Sequence, residues 1–168
     1  MSLNDYFRSM ATIYGDFEVT LDSKGRFMIP AGLKKQYSES EGNCFIANRG
    51  FEKCVTIYTE KEWEKVVSKI SKLNEFNMKA RKFKRMFLNG ATRIEADAAG
   101  RLLVPKGLMA YADISIETKD IILVGQMDKV EIWPAANYGK KMEDDFEEYD
   151  TLGEELLGGE FTNPITES

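Results

Sequence analysis

The chain has 168 residues, enough to bury a core as one duplicated domain or as two small ones. Hydrophobic residues make up 43% and charged residues 30%, no apolar run reaches membrane-spanning length, and no leader pattern opens the sequence, which predicts a cytoplasmic protein without a membrane partner. The net charge of −5 hides two opposed parts: up to Met142 there are 23 basic against 18 acidic residues (+5), and the remaining 10 acids form a tail of −10. A basic body of this kind stays compatible with nucleic acid despite the acidic total.

Along the chain, Phe17-Glu18-Val19-Thr20-Leu21 alternates apolar and polar, as a strand does. Asp22-Ser23-Lys24-Gly25 has turn chemistry, with Asp accepting backbone hydrogen bonds and Gly tolerating positive φ. Arg26 to Ile29 reads as a second strand, and Pro30 suits the first turn of a short helix carrying Leu33 and Tyr37 on one face. Cys44 to Asn48 and Cys54 to Tyr58 read as two further strands around Gly50. Thr59-Glu60-Lys61-Glu62 is a capping box, opening a helix with Trp63, Val66, Val67 and Ile70 on one stripe. Asn77 to Leu88 predicts a second helix, apolar at Ala80, Phe83 and Phe87, basic elsewhere, and ended by Asn89-Gly90. The same order of elements returns from Ala91 and ends in one helix with Tyr138, Met142, Phe146 and Tyr149 on one side. After Gly158-Gly159 the composition predicts disorder.

That return is a repeat with a constant offset of 75 residues. Asp22-Ser23-Lys24-Gly25-Arg26-Phe27-Met28-Ile29-Pro30 matches Asp97-Ala98-Ala99-Gly100-Arg101-Leu102-Leu103-Val104-Pro105. Gly50, Val55, Ile57 and Tyr58 match Gly125, Val130, Ile132 and Trp133 at the same spacing. The reading is a first repeat over 15–61, connecting helices over 62–89, a second repeat over 90–136, and a C-terminal helix with its acidic tail over 137–168. Neither copy can bury its strands alone, so the two are expected to interlock about a pseudo-two-fold axis, giving an α+β, mainly β fold with helices outside.

Both copies keep an aspartate and an arginine around a tight turn. Asp22, Gly25, Asp97 and Gly100 are assigned to building the turns. Arg26 and Arg101 are candidates for base contact, because guanidinium matches the paired acceptors of guanine in the major groove. The rival for Arg26 is a salt bridge to Asp22 that merely holds the turn. Lys24, Lys34 and Lys35 are candidate phosphate contacts, with a solvated face as the rival reading. The basic stretch Lys79 to Arg85 reads as a second DNA patch, a solvated face or an interface for acidic residues of another subunit. A catalytic carboxylate pair of Asp22 and Asp97 ranks below the turn role, since the Asp-Thr/Ser-Gly pattern is absent. Histidine is missing, Cys44 and Cys54 read as buried free thiols, and no phosphate-binding glycine pattern occurs. No metal, cofactor, small-molecule substrate or enzymatic activity is expected.

In Tyr14 to Arg26, Arg81 to Pro105, Val124-Gly125-Gln126 and Val130-Glu131-Ile132-Trp133, the chain resembles the MraZ family of bacterial transcription regulators. These are duplicated relatives of AbrB-type swapped-hairpin DNA-binding proteins, and the resemblance spans roughly residues 10–145. It implies a swapped-hairpin barrel, ring-like homo-oligomers, and nucleoid-associated binding of double-stranded DNA at direct repeats upstream of the division and cell-wall gene cluster. The family's DNA-contacting arginine maps onto Arg26, and its duplicate onto Arg101. The second copy departs from the first, with Ala99 for Lys24 and Met109-Ala110 for Lys34-Lys35, which predicts a weaker grip there. The alternative function is a protein-interaction module of antitoxin type. An antitoxin usually carries one barrel half, and the presence of both favours the regulator.

Overall fold

Pairing between the repeats, as much as within them, organises this fold. The computed structural model describes residues 12–37 and 42–158. The first repeat supplies β1 (Ile13–Thr20), β2 (Arg26–Met28), α1 (Ala31–Lys34), β3 (Cys44–Arg49), β4 (Val55–Thr59), α2 (Glu60–Ser71) and α3 (Met78–Leu88). The second supplies β5 (Thr92–Glu95), β6 (Arg101–Leu103), α4 (Lys106–Tyr111), β7 (Asp120–Met127), β8 (Val130–Pro134), α5 (Ala135–Phe146) and α6 (Tyr149–Leu157). Six strands form an antiparallel sheet in the order β1-β7-β8-β4-β3-β5, and β2 pairs with β6 in a separate ribbon. Exchanging the repeats reads that order backwards and leaves it unchanged.

The hairpins β3–β4 and β7–β8 are internal to their repeats. β1 instead crosses to β7, and β5 crosses to β3. At the centre, Val55 pairs with Ile132 and Ile57 with Val130, so each register pair is the repeat image of the other. The ribbon obeys the same rule: Arg26 faces Leu103, Met28 faces Arg101, and Phe27 meets Leu102 at the middle. Ile29 N–H donates to Gly100 O at 3.2 Å and Val104 N–H to Gly25 O at 3.1 Å, continuing the symmetric bonding beyond the ribbon.

The expected closed barrel is not formed by the described strands. The sheet is open, with β1 and β5 at its edges. The physical reason is length: β2 and β6 are three residues each and pair only with one another, so they do not carry the ladder from one edge to the other. Phe27, Leu33, Leu102, Leu108, Leu123 and Ile132 fill one core beneath sheet and ribbon, drawn from both repeats. Such a core exists only when both copies are folded, which is why the hydrophobic residues of either alone would be left in water.

β1 begins at Ile13, four residues before the alternation in the sequence becomes regular, because it pairs with β7 along its whole length. Its free side is occupied by Gln36, whose Oε1 accepts from Tyr14 N–H at 3.1 Å and whose Nε2 donates to Tyr14 O at 3.0 Å. On the paired side, Gly15 faces Gly125. A Cβ at Gly125 would fall 2.5 Å from Tyr14 Cα and 2.7 Å from its nitrogen, so only glycine lets the two backbones approach.

The helices begin as their capping residues dictate. Thr59 Oγ1 accepts from Glu62 N–H at 3.2 Å, and Asn77 Oδ1 accepts from Lys79 and Ala80 at 2.9 and 3.3 Å. Trp63 bridges Tyr58 (5.4 Å) on β4 and Phe87 (6.0 Å) on α3 through its ring, and Asn48 Nδ2 donates to Phe87 O at 2.9 Å. Among the described residues, no helix is long and apolar enough to cross a membrane.

The chain divides after Ala135 into two units, the second holding most of α5 and all of α6. The single C-terminal helix expected from the sequence is broken. Glu148 N–H bonds Asp145 O at 3.1 Å in a tight turn, so Tyr149 begins a new helix, though its ring stacks on Phe146 at 5.6 Å. Glu143 and Glu147, and Asp144 and Glu148, are like charges four apart, which weakens a continuous helix there. The disorder expected after Gly158-Gly159 concerns 159–168, outside the described residues.

Gly125→Ala should destabilise the fold by about 1–3 kcal/mol, the cost of forcing a side chain into close-packed surroundings. Thermal melting measures the loss, and amide exchange should locate it in Ile13–Thr20, opposite the substitution. Unchanged stability and protection would contradict the close approach of the two backbones.

Candidate nucleic-acid interface

Each turn is built around its aspartate. Asp22 Oδ1 accepts from the backbone N–H groups of Lys24 and Arg26, both at 2.9 Å, while Oδ2 accepts from Arg26 Nε at 2.7 Å. In the second turn Asp97 Oδ1 accepts from Ala99 and Arg101 N–H at 3.0 and 2.9 Å, and Oδ2 from Arg101 Nε at 2.9 Å. Gly25 and Gly100 close the turns at φ +82° and +83°, where an L side chain would be strained. The Arg26 backbone N–H, then its guanidinium and the Lys24 N–H, outweigh desolvation and hold the Asp22 carboxyl below the usual carboxylate range. The Arg101 N–H, its guanidinium and the Ala99 N–H do the same for Asp97.

The sequence poses base contact and a salt bridge as rivals for Arg26. The salt bridge is present in both turns. In each turn it engages Nε, and the Nη1–Nη2 edge of each guanidinium makes no hydrogen bond among the described residues; Arg26 Nη1 also forms a longer ion pair, at 3.8 Å, with Asp97 Oδ2 of the second turn. Arg26 and Arg101 are 25% and 37% exposed at the side chain, so each is partly buried and still accessible. A proton-sharing carboxylate pair has one member raised. Asp22 and Asp97 are both lowered, which suits ion-paired turn caps instead.

Residue alternation places Arg26, Met28, Arg101 and Leu103 on the outer face of the ribbon, with Phe27 and Leu102 turned into the core. Met28 and Leu103 are each 51% exposed. Neither is singled out in the sequence reading, although the alternation Arg26-Phe27-Met28 contains the signal. Lys24, Lys34 and Lys35 are all exposed, Lys24 on the first turn and the other two at the end of α1. Of their second-copy counterparts, Ala99 and Ala110 are exposed, whereas Met109 is buried, and its Sδ lies 3.3 Å from where a Cβ on Gly25 would be. A lysine there would have to bring its charge beneath the first turn.

The basic stretch on α3 is divided. Lys84 pairs with Glu75, and Arg81 Nη1 donates to Glu75 O at 2.8 Å, so both brace the helix start. Lys79, Lys82 and Arg85 are exposed. Both cysteines are free: Cys54 is buried as expected, and desolvation pushes its thiol up, but Cys44 is only half-buried.

A family model described as "MraZ protein, putative antitoxin-like" matches residues 12–86 and again 87–154. The chain belongs to the MraZ family. Three MraZ relatives carry the name "Transcriptional regulator MraZ". That of Flavobacterium psychrophilum is 42% identical over 150 residues, covering 89% of this chain and 94% of the relative. That of Cytophaga hutchinsonii is 39% identical over 148 residues, with 88% and 96% covered. That of Christiangramia forsetii is 35% identical over 152 residues, with 90% and 96% covered. The two MraZ matches meet between Met86 and Phe87, within α3, so each contains one arginine turn.

Because folding lowers the pKa of both aspartates, the turns contribute stability above the ordinary carboxylate range, near pH 4, and lose it as pH falls through the lowered values. The double variant Asp22→Asn, Asp97→Asn should therefore melt below the wild type at pH 7, and the gap should close on acidification. A gap that is constant from pH 7 to pH 3 would remove the ionic part of this account.

Proposed function

We propose that this protein is a sequence-specific DNA-binding transcription regulator that lays its β2–β6 ribbon in the major groove. One observation carries the reading: both aspartates take Nε and leave the Nη1–Nη2 edges of Arg26 and Arg101 without a hydrogen bond on the outer face of one ribbon, that of Arg26 also within ion-pair distance of Asp97. The major groove admits a two-stranded ribbon, and a guanidinium end can bond guanine O6 and N7 together. The aspartate fixes the rotamer beforehand, which reduces the entropy lost on binding. Lys24, Lys34 and Lys35 neutralise phosphates beside the first turn. The exchange of edge strands between the repeats is consistent with the swapped-hairpin arrangement that the family resemblance implies. The names of the relatives support regulation of transcription. By the family resemblance, the target is a set of tandem repeats in the protein's own promoter, ahead of the division and cell-wall genes, and the protein works in the cytoplasm on the nucleoid.

Self-association into a ring belongs to the same reading. Phe76, Met78 and Met86 are 94%, 73% and 63% exposed on and before α3, and Phe51 is 83% exposed. Phe51, Phe83, Met86, Phe87 and Tyr111 line a cavity of about 310 Å³ beside Arg49, whose buried Nε has no hydrogen-bond partner. Exposed apolar surface of this kind is characteristic of an interaction site, and a second copy is the occupant. Joining several ribbons raises the effective concentration for repeated sites. A second reading, a protein-binding module of antitoxin type, is favoured by the words "antitoxin-like" in the family description. Such a module would bind a protein partner without needing the arginine edges.

Arg26→Ala should lose operator affinity by about 1–3 kcal/mol for each subunit engaged, with fold and assembly intact. Arg101→Ala should lose less, because Ala99, Met109 and Ala110 offer no supporting cations. Gel-shift titration on the DNA upstream of the protein's own gene measures both. Full affinity in a folded Arg26→Ala protein would overturn the reading, and equal losses would overturn the inequality of the turns. Affinity should also rise steeply with the number of repeats in the probe; a single repeat bound as tightly as several would argue against linked ribbons.

A further inference from the structure

Exposed apolar side chains at two equivalent positions call for an explanation that two unrelated surface residues would not. Met28 and Leu103 are related by the repeat, are exposed to the same extent (51%), and lie on the ribbon face that carries Arg26 and Arg101. Cross-strand pairing makes each the direct neighbour of an arginine: Leu103 opposite Arg26, and Met28 opposite Arg101. Directly opposed side chains on one face have Cβ atoms about 5 Å apart. That is between one and two base-pair steps of about 3.4 Å along the duplex, so the apolar member can reach a base pair next to the one its arginine meets. Met28 also extends toward the second turn, its Sδ lying 3.7 Å from where a Cβ on Gly100 would sit.

In the major groove, the apolar group a base pair presents is the C5-methyl of thymine. A branched alkyl group makes no hydrogen bond to the polar edges of the other bases and a thioether is only a weak acceptor, and covering those edges with carbon would desolvate them. Resting on the proposed DNA-binding function, we infer that Met28 and Leu103 are specificity residues that read thymine methyl groups. Each arginine and its apolar partner then form a two-residue unit that selects a thymine beside a guanine. The methionine, with its flexible polarisable chain, should tolerate a less exact placement of the methyl than Leu103.

The test is a methyl deletion made in the DNA. An operator is first obtained by selection from random duplexes with the full-length protein. Each thymine is then replaced singly by uracil, which keeps every hydrogen-bonding group and removes only the methyl. Wild-type protein should bind about fourfold more weakly for each methyl that an apolar side chain covers. Met28→Ala should abolish the uracil penalty at one set of thymines and Leu103→Ala at the other, with penalties elsewhere unchanged. Both residues lie outside the core, and melting curves of the two variants identify any loss of fold. Met28→Leu should retain the penalty, and its loss there would also count against an apolar contact. Uracil operators bound as tightly as thymine operators, or penalties that persist in both alanine variants, would overturn the inference while leaving DNA binding intact. Failure of the selection to enrich any sequence would instead defeat the functional reading beneath it.

Discussion

The backbone of each repeat can satisfy only part of its hydrogen-bonding capacity internally, and the rest of the structure depends on how that deficit is met. Each copy makes one hairpin, β3–β4 or β7–β8. The edge strand and the short arginine strand of each copy find partners only in the other. A copy folded alone would forgo these ladder bonds and leave its half of the shared core in water, so the half-folded state of either copy is disfavoured. Folding of the two is therefore coupled through the backbone as well as through the shared core. The same coupling fixes the ribbon, because β2 has no other strand to hold it.

The ribbon is where this coupling becomes chemistry. Its inner pair, Phe27 and Leu102, anchors it in the core, and its outer face is what remains. The aspartates perform two tasks with one carboxylate each. One oxygen organises the turn backbone, and the other holds the guanidinium by Nε. The salt bridge that the sequence poses as a competitor of DNA contact is compatible with the proposed contact, since it takes Nε and leaves the Nη1–Nη2 edge without a hydrogen bond.

Much of this was legible in the sequence, for reasons that can be traced to particular residues. The Asp-x-x-Gly-Arg turns were visible because their hydrogen bonds are local, from Asp22 to Lys24 and Arg26. The start of α2 was visible because Thr59 caps it three residues away. Strand order and closure were not local. An open sheet with a detached ribbon, in place of a closed barrel, follows from β2 and β6 being three residues long, which no pattern of apolar residues specifies. The break before Tyr149 was obscured by an apolar stripe that continues across it, while the turn that interrupts the helix, closed by Glu148 N–H on Asp145 O, leaves no mark in that stripe. Gln36 was invisible as a strand-edge clamp because its partner, Tyr14, lies 22 residues away. Met28 and Leu103 became candidates only when the register put each beside an arginine.

The palindromic strand order has a consequence for how this molecule could diverge. Two identical chains related by a true two-fold axis must carry every substitution twice, so both of their turns change together. Here the two turns belong to one gene and mutate independently. Met109 illustrates the freedom: it is buried beside Gly25, whereas its image Lys34 stays in solvent. A tandem repeat of this kind can keep the architecture of a dimer while abandoning its symmetry of information. The two halves of one surface are then free to respond to different inputs without either half ceasing to fold.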